Sequence, residues 1–146
     1  MNLTQHFTFE ELYASEIADR NNIDNTPTDP KVLNNLKALA LNLESVRRLL
    51  GKPIHINSAY RCLAVNALLG SKPTSAHIKG LAADFVCPGY GTPLDIIRAI
   101  IASNIQYDQV ILEFDRWVHI GFTEDDQKPR LQKLIIDKSG TRTFKG

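Results

Sequence analysis

Ser75-Ala76-His77-Ile78-Lys79-Gly80-Leu81-Ala82-Ala83-Asp84-Phe85-Val86 passes from a polar loop into an apolar run. Leu81 to Val86 alternates as a strand, with Ala82, Asp84 and Val86 on one face. The loop before it delivers Ser75 and His77, and the small residues beside Asp84 leave room for an ion. Further along, Trp117-Val118-His119 places a second histidine in a strand-like context. Two imidazoles and one carboxylate, with no thiolate, form the ligand set of a catalytic zinc, because three protein ligands leave one position open.

The segments upstream read as helices. Thr8-Phe9-Glu10-Glu11 is a capping box that opens a short helix with Phe9, Leu12, Tyr13 and Ile17 toward the core. Asn21 to Thr28 is a polar loop. Asp29-Pro30 starts the longest helix, whose apolar face runs through Val32, Leu36, Leu39, Leu43, Val46 and Leu50 and stops at Gly51. Pro53 to Ser58 is a short strand, and Ala59-Tyr60-Arg61 leaves it where polar side chains can enter a cleft. Leu63 to Leu69 is a brief helix closed by Gly70.

Downstream, Thr92-Pro93 opens a helix with Ile96, Ile97, Ile100 and Ile101 buried. Val110 to Phe114 and Trp117 to Phe122 flank Asp115-Arg116 as a hairpin, and Leu134 to Ile136 with Thr141 to Phe144 flank Ser139-Gly140 as another. Helices come mainly first and antiparallel strands mainly last, which predicts an α+β fold with N-terminal helices packed on the sheet.

With 146 residues, the chain fits one domain, residues 1–146. Its net charge of +1 argues against an electrostatic grip on nucleic acid. Cys62 and Cys87 form no CxxC pattern, so they read as two free thiols in a reducing compartment. No apolar stretch approaches the length of a membrane span. The start Met1 to Phe7 lacks the features of a secretory signal. Synthesis in the cytoplasm and a monomeric state are therefore the expectations.

Ser58-Ala59-Tyr60-Arg61, Asn66, Ser75-x-His77-x-x-Gly80-x-Ala82-x-Asp84 and Trp117-Val118-His119 resemble the D-Ala-D-Ala carboxypeptidase family of zinc peptidases. Phe7 to Leu12 and Asn25-Thr26-Pro27 resemble its small phage- or prophage-encoded branch. The resemblance runs from about residue 5 to about residue 122. It implies a Hedgehog/DD-peptidase-like mixed fold around an antiparallel sheet, a zinc ion (Zn2+), and cleavage of peptide bonds in peptidoglycan stems. Carried over by position, His77, Asp84 and His119 are the metal ligands. A phage lysis enzyme of this kind gathers in the cytoplasm and reaches the wall once the membrane is breached.

A zinc hydrolase also needs a general base. Much of the family has an acid three positions before the last histidine, but Arg116 stands there. The resemblance to the small branch favours Glu113, with Asp115 the alternative. It also implies that Arg61 faces the cleft and grips a substrate carboxylate or the oxyanion. Ser75 is expected to bind substrate or orient His77, Tyr60 to contribute weakly, and Trp117 to line the groove. His6 and His55 match no ligand pattern and are expected to be structural or exposed. An L-Ala-D-Glu or crosslink endopeptidase remains open beside the carboxypeptidase, as does a zinc-stabilised wall-binding module without catalysis.

Overall fold

The computed structural model describes residues 1–145. Helix α1 (Phe9–Tyr13) starts on the capping box: Thr8 Oγ1 accepts the Glu11 N–H at 3.1 Å, and Glu11 Oε1 accepts the Thr8 N–H at 2.8 Å. The helix ends at Ala14, whose ψ of 137° leaves the helical region, and Ser15 caps a second short helix, α2 (Glu16–Arg20). The single helix expected through Ile17 is thus two, because the Ser15 hydroxyl offers the Ala18 N–H an alternative partner. Leu12 stays buried, whereas Ile17 moves onto α2 and faces a cleft.

Helix α3 (Pro30–Leu50) begins where Asp29 Oδ1 accepts the Lys31 N–H at 2.9 Å, and Gly51 ends it with a left-handed φ of 68°. Leu36, Leu39, Leu43, Val46 and Leu50 are buried along its inner face. Each such side chain contributes roughly 1.5–3 kcal/mol of burial. Helix α4 (Leu63–Leu68) is short, and α5 (Pro93–Ala102) carries a second capping box made by Thr92 and Asp95. Ile96, Ile97 and Ile100 of α5 join the same core.

Six strands form one sheet: β1 (His55–Ser58), β2 (Ala82–Val86), β3 (Gln109–Glu113), β4 (Trp117–Gly121), β5 (Gln132–Asp137) and β6 (Gly140–Thr143). Their order is β1-β2-β4-β3-β5-β6, antiparallel throughout except where β5 lies parallel to β3. The architecture is mixed α+β, with helices on a mostly antiparallel sheet. The C-terminal hairpin β5–β6 forms as expected, but its parallel seat beside β3 is a tertiary choice.

Alternation divides the sheet into two faces. Ala83, Phe85, Val110, Leu112, Val118 and Ile120 enter the core shared with α3 and α5. Asp84 and His119 consequently point to the other face.

The β3–β4 turn lies one residue earlier than expected. Its central residues are Phe114 and Asp115, both with φ of 55°, and the Arg116 N–H closes it on the Glu113 carbonyl at 3.0 Å. Two left-handed centres suit the right-handed twist of a hairpin, although Asn-Gly would adopt them at lower cost. Glu113 pairs with Trp117 across this turn, so Glu113 shares the face of His119.

Candidate metal centre

Asp84 and His119 are register partners on the adjacent strands β2 and β4. Their side chains meet, with His119 Nδ1 2.9 Å from Asp84 Oδ1. His77 arrives from the loop before β2, and its Nε2 lies 3.4 Å from the same Oδ1. Gly80 makes that approach possible. Its φ is +74°, and an added Cβ would stand 3.1 Å from both Leu36 Cγ and the Val32 carbonyl oxygen. Only glycine takes this turn without strain.

His77 Nδ1 is 2.6 Å from the Ala59 carbonyl oxygen. A carbonyl can only accept, so Nδ1 carries the proton and the Nε2 lone pair faces Asp84. Arg61 divides the other oxygen from this cluster: its Nη2 donates to Asp84 Oδ2 at 3.0 Å, and its Nε donates to Ser58 Oγ at 3.2 Å. Ser58 is the β1 register partner of Asp84. One carboxylate oxygen is thereby held by a guanidinium and the other by imidazoles.

His77, Asp84 and His119 are all buried, and one ligand atom from each lies within 4.8 Å of the other two. Two imidazole nitrogens and one carboxylate oxygen converging in this way fit a zinc ion by donor type and number. Burial pushes the Asp84 carboxyl up, but the hydrogen bond from His119 and the close approach of the His77 imidazole outweigh it and hold the group well below the usual range. Burial lowers His77, which favours the neutral, ligating imidazole.

Glu113 stands beside this cluster. Its Oε2 accepts the Trp117 indole N–H at 3.1 Å, and its Oε1 lies 3.9 Å from His119 Nδ1. Burial, reinforced by the negative charge of Asp84, raises its carboxyl above the ordinary value. Asp115 is exposed at the turn and borders a different cavity, with Phe114 and Lys138. Trp117 is half-buried and borders both that cavity and the cleft containing Arg61 and Asp84. Ser75 Oγ accepts the His77 backbone N–H at 3.3 Å and faces a cavity that also reaches His119. Tyr60 packs against the core instead, and burial raises its phenol.

Three buried or backbone contacts were not assigned a role from the sequence. The Ala59 carbonyl orients His77 through its backbone alone. Asn25 is buried, donates to the carbonyls of Tyr13 and Tyr60 at 2.6 and 3.1 Å, and accepts the Cys62 N–H at 2.8 Å, so it ties down the segment bearing Arg61. His6 is tied through its backbone N–H and its Nδ1 to buried Glu44, both at 2.7 Å. For Asn25 the one signal was the resemblance carried by Asn25-Thr26-Pro27.

Three convergent ligands with a shielded acid at their edge are the layout of a metal-dependent hydrolase. A family model described as Peptidase M15 matches residues 5–121, and the chain belongs to this peptidase family. Its members are zinc-dependent, so membership supports a zinc metallopeptidase. No curated protein matches the chain. Among the described residues, no helix is long and apolar enough to cross a membrane.

Proposed function

We propose that this chain hydrolyses peptide bonds in peptidoglycan stem peptides, with a D-Ala-D-Ala terminus as the leading substrate. On this reading, its architecture is of the Hedgehog/DD-peptidase type, and His77, Asp84 and His119 hold the zinc. The observation that carries the reading is the convergence of those three ligands with Glu113 at their edge. When bound, zinc supplies a Lewis acid that polarises a carbonyl and lowers the pKa of water.

The remaining work falls to side chains. Glu113 is the general base: Trp117 occupies Oε2, leaving Oε1 toward the cluster to take a proton and pass it to the departing amine. Burial favours the protonated form that this group must hold between the two transfers. Asp115, exposed on the turn, is poorly placed for that role. The Ala59 carbonyl keeps His77 in one tautomer and orientation. Arg61 holds the Oδ2 side of Asp84 and offers its remaining N–H groups to a substrate carboxylate or developing oxyanion. Ser75 fixes the His77 backbone.

The test is mass spectrometry of purified muropeptides incubated with zinc-loaded protein and with a chelated control. Chelator-sensitive loss of one D-Ala establishes the carboxypeptidase. A cut crosslink or an L-Ala-D-Glu scission makes it an endopeptidase. No mass change in several wall chemotypes, despite stoichiometric zinc, overturns the reading in favour of a binding module.

A further inference from the structure

The metal cluster separates two cavities of unlike charge. One, of about 740 Å³, opens beside Arg61 and is bounded by Glu16, Asp19 and Arg20. The other, of about 590 Å³, opens beside His119 and Ser75, and Lys72, Lys79 and Arg130 border it. Ion pairs cancel much of this charge. Arg61 meets Asp84, Arg20 meets Glu16 at 3.8 Å, and Arg130 clasps Asp108 through its backbone N–H, Nε and Nη2. The charges left over are Asp19 at one end and two lysines at the other. Among the described residues, neither Lys72 nor Lys79 forms an ion pair.

The backbones carrying those lysines are fixed from below. The buried Asn66 donates to the Ser71 and Lys72 carbonyls at 3.3 and 2.8 Å, and Asn35 donates to the Lys79 carbonyl at 2.9 Å. Two asparagines thus anchor both ends of the loop that delivers His77. The opposite wall is the segment ending at Arg130, held by its fork on Asp108. Two cations on anchored backbone, bordering one cavity beside His119, attract an anion.

We propose that Lys72 and Lys79 form a carboxylate-recognising subsite on the His119 side of the cleft. The preferred substrate is then a stem peptide that carries a free carboxylate in addition to the one at its C-terminus. This rests on the peptidase reading above and narrows its substrate class. In a wall stem, the glutamyl residue supplies such a group when its α-carboxyl is free and loses it on amidation, so amidation of the substrate would act as a selectivity filter.

The test is calorimetric titration of zinc-loaded Glu113→Gln protein, which removes the proposed base, with acetyl-L-Ala-γ-D-Glu-L-Lys-D-Ala-D-Ala and its α-amidated counterpart. The free acid should bind about 10-fold more tightly, as expected for roughly 1.4 kcal/mol of ionic contact at low salt. Lys72→Ala/Lys79→Ala should erase that preference without changing affinity for the amide, while the double arginine variant keeps it. Equal affinities for the two peptides, or an equal loss for both on removing the lysines, would overturn the subsite. Failure of both peptides to bind overturns it too, whereas the peptidase reading is decided separately by the muropeptide digest.

Discussion

Replacing Trp117 with Phe removes one hydrogen bond from Glu113 and leaves the rest of the cluster in place. The indole N–H reaches Glu113 Oε2 at 3.1 Å, and the Glu113 side chain is only 18% exposed. A bond to a charged group in such a place is worth about 2 kcal/mol, so a base that loses this anchor should lose about 30-fold in kcat. Glu113→Gln should cost about 10²–10⁴-fold, since it removes the proposed base. If Trp117 acts by orienting Glu113, adding Trp117→Phe to Glu113→Gln should produce almost no further loss. Steady-state kinetics on a chromogenic stem-peptide analogue, with zinc content measured for each variant, completes the cycle. Full kcat in Trp117→Phe, or additive losses in the double variant at equal zinc content, would refute the positioning role.

Asp84→Asn removes the only anion of the proposed ligand set, so zinc stoichiometry by elemental analysis should fall far below that of the parent protein, with circular dichroism unchanged if the fold persists. Gly80→Ala should lower stability by about 2 kcal/mol in urea denaturation, because the new Cβ is both strained at φ +74° and crowded by Leu36 and Val32. Burial raises the Glu44 carboxyl, but hydrogen bonds from His6 prevail and lower it overall. A lowered carboxylate contributes stability above its unfolded value, near 4.3, and loses it as pH falls through the folded one. Glu44→Gln should therefore be about 1 kcal/mol less stable than the parent at pH 7, with the gap closing below pH 4 in thermal melts.

The helix starts were legible because capping is local. Thr8 with Glu11, Asp29 with Pro30 and Thr92 with Pro93 each lie within one turn of the helix they open. The break at Ala14-Ser15 was harder to see, because Phe9, Leu12, Tyr13 and Ile17 keep a helical rhythm across it. Only the competing Ser15 cap ends the first helix. The β3–β4 turn shifted by one residue for a similar reason: Phe114 reads as a strand residue by type, yet adopts a left-handed turn conformation.

Residue types in their motif order, Ser75-x-His77-x-x-Gly80-x-Ala82-x-Asp84 and Trp117-Val118-His119, marked His77, Asp84 and His119 as candidate ligands, since two imidazoles and a carboxylate in strand and loop settings suit one ion. That His77 and Asp84 can meet is also written locally, in the glycine between them. Which acid stands beside them was decided only by the register of β3 on β4, which pairs Glu113 with Trp117 and leaves Asp115 exposed at the turn. The Ala59 carbonyl, the Asn25 tie and the lysine-bordered cavity likewise depend on segments far apart in the chain. Propensity and capping act over a few residues and can be read from them. Register, hydrogen bonds across distant segments and the charge of a cavity exist only after the chain has packed, because each depends on what the fold brings alongside.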